Sequence, residues 1–282
     1  MRRWRWLAAG AGVVAVAVYA GAVLTAAGQR LENAALRGAD QIDEQTLGAA
    51  NTALAHITVG SLVAAVVLVG VIGWVRGMPA VAAAAVGIIV GGQVVTQTLK
   101  RFVLPRPELV PVSGDYAHNS LPSGHTTIAM TVLFALMVVI PYRWRGVVMA
   151  VGAGWAVGIG AYTVAAKWHR ASDTIAADAI ALAVACVACL ILARAGQWRT
   201  APRRPASSRW LRAGLAILLS ALGAVSATLG ILIATLTSAR DITGEIAEFN
   251  YYLSAHSIAP AAAILAALLF WFALHRLETR PR

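Results

Sequence analysis

The sequence predicts an all-α polytopic membrane bundle of about eight transmembrane helices, and three observations carry that reading. The 282 residues are 59% apolar and only 12% charged, with a mean hydropathy of +0.72, whereas soluble domains carry about a quarter charged residues. Eight uncharged or nearly uncharged stretches reach the roughly 20 residues that a hydrocarbon core of about 30 Å requires. Fifteen of the 23 basic residues fall on alternate connections, which is the positive-inside pattern. Such hydrophobicity excludes disorder, two cysteines exclude a disulfide scaffold, and no Gly-X-Y or heptad register is present. A net charge of +11 calls for no nucleic acid, because basic loops can rest against anionic inner-leaflet headgroups.

The eight stretches run approximately over 6–28, 57–75, 78–99, 125–141, 146–166, 174–193, 213–236 and 257–274. Trp4, Trp6, Trp74, Trp144, Trp168, Trp210 and Trp271 fall near their ends, at interface positions. The apolar core of the first is longer than a typical signal h-region, which predicts an uncleaved anchor. Residues 30–56 fit an amphipathic helix on the outer surface. The basic asymmetry puts both termini in the cytoplasm of a plasma (cell inner) membrane. Residues 1–195 then form a six-span core, 196–212 an Arg-rich cytoplasmic linker, and 213–282 two additional spans with a short tail. Ten of twelve acids lie in the outer segments.

Five of the eight outer basic residues, Lys100, Arg101, Arg106, Lys167 and Arg170, sit in two loops beside histidines, so an anion is expected there. Gln93, Gln97 and Lys100 share one helical face at i, i+4 and i+7. Pro105 and Pro107 fix the backbone on either side of Arg106, and a guanidinium held in one direction suits phosphate oxygens. A proline-stiffened loop beside a snorkelling lysine is the plain alternative. In Pro122-Ser123-Gly124-His125, Ser123 is a plausible N-cap, Gly124 admits a close backbone approach, and the helix start favours anions. His125 there is suited to proton donation, although simple capping would also explain the tetrapeptide. In the Lys167–Thr174 segment, i, i+4 spacing lets Asp173 orient one nitrogen of His169 and leave the other free to attack or to take a proton. An interfacial histidine near a capping aspartate is the plain alternative. Metal is disfavoured, since no further ligand stands at suitable spacing.

Taken together and in this order, the three segments resemble the signature of the type 2 phosphatidic acid phosphatase (lipid phosphate phosphatase) superfamily over about residues 90–195. That signature is Lys, six residues, Arg-Pro; Pro-Ser-Gly-His; and Ser-Arg, five residues, His, three residues, Asp. The resemblance implies that His169 is the nucleophile that becomes phosphorylated, that Asp173 orients it, and that His125 protonates the leaving oxygen. It implies a phosphate cradle of Lys100, Arg106, Ser123 and Gly124. Two departures stand out. Five residues separate Lys100 from Arg106, and the signature's Ser-Arg falls on Tyr162-Thr163, leaving Lys167 and Arg170 as candidate replacement cations.

The expected activity is metal-independent hydrolysis of a lipid phosphate monoester or diphosphate, of the phosphatidate or polyprenyl (undecaprenyl diphosphate) type, at the outer membrane face. No cofactor is implied. The expected partners are the lipid substrate and the bilayer, with no particular protein indicated. An anion transporter and an inactive headgroup-binding scaffold compete with this reading. Cys186 and Cys189 read as packing residues, and Gly152, Gly154, Gly158 and Gly160 as close-packing positions. Asp178 reads as support beneath the site or as an interhelical hydrogen bond. The last outer loop, Arg240–His256, reads as an aromatic interface anchor or the edge of a substrate entrance.

Overall fold

The computed structural model describes residues 1–112, 118–201 and 206–279. Ten α-helices result: α1 (Arg2–Val18), α2 (Ala26–Gly38), α3 (Glu44–Ala55), α4 (Val59–Val75), α5 (Pro79–Thr98), α6 (Gly124–Val139), α7 (Arg145–Ala165), α8 (Ala171–Arg194), α9 (Ala206–Ala239) and α10 (Gly244–Ala273). Every apolar stretch of the sequence becomes helix. Among the described residues, six helical segments are long and apolar enough to cross a membrane, including α1 and α5 with the π-turns that extend them. A seventh arises if α3 and α4, which meet at 56°, act as one bent span. The eighth, α6, has only 16 residues and rises about 24 Å. Its length is set at both ends: Ser123 caps the start, and Pro141 follows immediately after its C-cap, Ile140, a usual stop signal.

The core lies between α1, α5, α6, α7, α8 and α10, with Ile88, Met130, Leu133, Phe134, Met149, Leu182 and Phe270 in one buried cluster. Helix α9 packs mainly on α10 and leaves Ile217, Leu218, Leu222 and Val225 exposed, as a lipid-facing surface must. Arg76 donates to the carbonyl of Val139, and Arg145 donates to that of Leu277 at 2.5 Å. These arginines gather at the end of the bundle opposite the start of α6. Arg203, Arg204, Arg280 and Arg282 lie outside the described residues.

Several expectations change. Trp4 and Trp271 are 1% and 3% exposed: Trp4 stacks on Trp198 with centroids 6.4 Å apart, so both tryptophans serve the core instead of an interface. The segment after α8 is not plain linker, because Trp198–Thr200 pairs antiparallel with Leu277–Thr279 and Arg199 bridges Glu278 at 3.2 Å. Residues 244–256 continue α10 upward; they pack against α2, where Arg37 bridges Glu248 at 2.5 Å. Instead of lying on the surface, α2 buries Gln29, Asn33 and Leu36. A Cβ on Gly152 would lie 2.7 Å from Leu133, whereas Gly154 and Gly158 face open space, so the close-packing reading fails for those two. Both oxygens of the buried Asp178 carboxyl are without a hydrogen-bond partner among the described residues, and no interhelical bond forms. Cys186 and Cys189 are fully buried free thiols in the core.

Candidate phosphate site at the α6 and α8 starts

Two polar segments meet where α6 and α8 begin. The Ser123 amide donates to the Asp173 carbonyl at 2.9 Å, pinning one helix start to the other. Ser123 also caps α6, its Oγ accepting from the Thr126 amide at 3.3 Å, and it is fully buried. Asp173, likewise fully buried, stands in the first turn of α8, and its Oδ2 accepts from the Arg170 amide at 2.9 Å. The same oxygen lies 3.2 Å from His169 Nδ1, and the His169 amide donates to the Thr163 carbonyl at 3.0 Å. An ionised carboxylate only accepts, so in the neutral imidazole the proton sits on Nδ1 and the lone pair on Nε2. The i, i+4 relation holds although His169 itself precedes the helix, because Asp173 reaches back over the α8 N-terminus. His125, half-buried in the first turn of α6, puts its ring 6.5 Å from that of His169 and edge-on to Trp168 at 5.2 Å.

The cationic side is assembled differently. Helix α5 ends in a five-residue π-turn, Leu99–Val103, which carries Lys100 to within electrostatic range of Asp173 and His125. From α5, Gln93 donates to the Gly124 carbonyl at 3.3 Å, and a Cβ on Gly124 would stand 3.4 Å from Gln97, so a side chain there would crowd the amide. The Arg106 loop is clamped by the N-terminal segment: Tyr19 donates to the Pro105 carbonyl at 2.6 Å and Gln29 to that of Pro107 at 2.7 Å. Arg106 is thereby buried, its side chain 4% exposed. Arg170, also buried, donates to Ser120 Oγ at 2.9 Å, and burial draws its pKa below the usual guanidinium value.

Between the two guanidinia stands a residue that sequence reading did not single out. Glu32 Oε2 on α2 lies 3.5 Å from Arg106 Nη1 and 3.9 Å from Arg170 Nε. Burial, reinforced by the negative charge of Asp173, pushes its carboxyl up to about 7. The available signal was Gln29, Glu32 and Asn33 grouped among the apolar positions of a helix that also carries Arg30 and Arg37. Ser120 and Tyr19 were missed for the same reason: each acts on a residue far away in sequence. Lys167, at φ +59, turns to Asp40 on the short helical turn that follows α2, while Arg170 sits deeper. Thr163, in the place of the signature arginine, is buried and donates to the Gly160 carbonyl at 2.7 Å. Among the described residues, no group of three or more His, Cys, Asp and Glu has the geometry to hold a metal ion.

Apolar helices of spanning length thus bring together a carboxylate-oriented imidazole, a second imidazole 6.5 Å away and the buried Arg170 guanidinium at one end of the bundle. The chain belongs to the PAP2 superfamily, whose family model matches residues 57–197. The match covers α4 to α8, hence both histidines and both arginines, and leaves α1–α3, α9 and α10 outside. No curated protein and no solved structure gives a match. Members of the superfamily are generally phosphatases, which makes this chain, at that level, a phosphoric ester hydrolase of a multi-pass membrane protein kind.

Proposed function

We infer that the protein hydrolyses the phosphate monoester or diphosphate of a membrane lipid, of the phosphatidate or polyprenyl phosphate type, through a phosphohistidine. The observation that supports this best is the pair of imidazoles brought from separate helices to 6.5 Å, one of them held by Asp173. His169 Nε2 attacks phosphorus while the bond to the lipid oxygen breaks, and His125 gives that oxygen its proton. Water then attacks the phosphohistidine, His125 takes the water proton, and inorganic phosphate leaves with His169 restored. Arg106, Arg170 and Lys100 balance the charge on the equatorial oxygens, and the start of α6 at Ser123 and Gly124 adds backbone donors. With the bulk of the basic loops in the cytoplasm, the site opens on the outer face of a plasma membrane. A short α6 leaves that end within reach of a headgroup whose chains stay in the bilayer.

The test is phosphate release by the purified protein from a panel of lipid phosphates, with acid-labile, alkali-stable phosphoprotein trapped by rapid quench. Wild-type turnover with neither turnover nor trapped phosphoprotein in His169→Ala is the expected result. Turnover unchanged by that substitution removes the mechanism.

A further inference from the structure

The Glu32 pairing lacks the form of a structural ion bridge. Arginine and carboxylate prefer two parallel bonds of about 2.7–2.9 Å; here a single oxygen faces two guanidinia at 3.5 and 3.9 Å. Arg106 Nη2 is buried without a hydrogen-bond partner among the described residues, and beyond the two guanidinia the Glu32 carboxyl is approached by the Ser172 hydroxyl at the start of α8. A spare guanidinium donor therefore stands beside a loosely held carboxylate. A cavity of about 230 Å³ adjoins Glu32 and is lined by it, His169 and Arg170 together with Leu31, Val164 and Ile258. The carboxyl side chain has somewhere to go, and that place is apolar.

We propose that Glu32 is a built-in stand-in for phosphate: it occupies the Arg106 and Arg170 guanidinia while the site is empty and is displaced, neutral, into the adjoining cavity when a tetrahedral oxyanion binds. The phosphatase reading enters only in saying what the cradle serves; the competition itself needs no turnover. Around Glu32 stand Arg106 from the loop after α5, then His169, Arg170, Ser172 and Asp173 at the start of α8, with Tyr251 of α10 lining the cavity. Glu248 of α10 is paired with Arg37. With burial pushing the carboxyl up to about 7, the sign follows: below that pH Glu32 is neutral and competes weakly for the guanidinia, while above it an anion must displace a carboxylate. Anion affinity therefore falls as pH rises through about 7, roughly tenfold per unit once Glu32 is ionised.

Sulfate is the probe, because its charge is constant from pH 5.5 to 8 whereas a phosphate monoester titrates near 6. Binding is followed by calorimetry and by the fluorescence of Trp168, which lies edge-on to His125. Glu32→Gln is expected to bind sulfate about tenfold more tightly than wild type at pH 8, the gap closing by pH 5.5. Wild type is expected to take up more protons on binding at pH 8 than the variant, as read in buffers of different ionisation enthalpy. Glu32→Ala removes the carboxylate without adding an amide and serves should the Gln protein fail to fold. Equal or weaker binding at pH 8, a gap independent of pH, or no sulfate binding by any form overturns the proposal. Failure of the phosphatase reading would show separately, as turnover indifferent to His169→Ala beside an intact sulfate result.

Discussion

The two halves of the site are held by opposite means. The imidazole half is fixed by the backbone: Ser123 to Asp173, His169 to Thr163 and Arg170 to Asp173 are all main-chain donors at 2.9–3.0 Å, and every participant lies inside the family-matched segment. The guanidinium half is held by side chains, mostly from outside that segment: Tyr19 and Gln29 hold the Arg106 loop, Glu32 faces both arginines, and only Ser120, which accepts from Arg170, comes from within it. Backbone-pinned groups cannot drift without unwinding a helix start, whereas groups held by loose ion pairs can exchange partners. The position of His169 is thus tied to the family-matched segment, while the surroundings of the two guanidinia include the carboxyl of Glu32 on α2.

Breaking the imidazole half is expected to cost most. His169→Ala removes the attacking nitrogen and lowers phosphate release by about 10⁴-fold or more, as loss of a nucleophile does elsewhere. Asp173→Asn keeps the packing but reverses the tautomer preference of His169; a fall of about 10²–10⁴-fold in kcat is expected, with circular dichroism unchanged. In the other half, Arg170→Ala is expected to lower kcat/KM by about 10²–10³-fold. Lys167→Ala, whose ammonium is turned to Asp40, should change it by less than about tenfold. Equal effects from the two would show that Lys167 turns inward in the working enzyme and erase the contrast drawn between them. The smallest effect concerns metal: turnover is expected to survive EDTA, and a complete loss restored by Mg²⁺ would replace the histidine mechanism with a metal-assisted one.

Stability offers a quieter check on the same contrast. The Glu32 carboxyl is raised from its ordinary value in the folded protein, so the native state binds more protons than the unfolded one between about pH 4.5 and 7. Stability from this residue falls as pH rises across that window and is level above it. Thermal unfolding in detergent across pH 5–8 should show that slope in wild type, and Glu32→Gln should flatten it.

How much of this was legible beforehand depended on distance along the chain. The apolar stretches were readable because a span must satisfy its own backbone and face lipid, a constraint carried by some twenty consecutive residues. His169 and Asp173 were readable because i, i+4 spacing at a helix start brings them together locally. Trp4 and Trp271 misled, since an indole near a span end can sit at an interface or inside the bundle, and only neighbouring helices choose. Asp178 also fitted two readings, support beneath the site or an interhelical hydrogen bond, and its carboxyl makes no such bond among the described residues.

Composition and spacing by themselves determined an all-α membrane bundle, its helices and the pairing of His169 with Asp173, because those follow from hydrophobic length and from one helical turn. Tertiary structure alone decided that His125 meets His169, that Arg170 lies deeper than Lys167, and that Glu32 enters the cradle. Those contacts join residues up to 138 positions apart, as Glu32 and Arg170 are. No local rule links such positions: helix packing sets which polar groups share a buried space, and burial sets how strongly they act on one another.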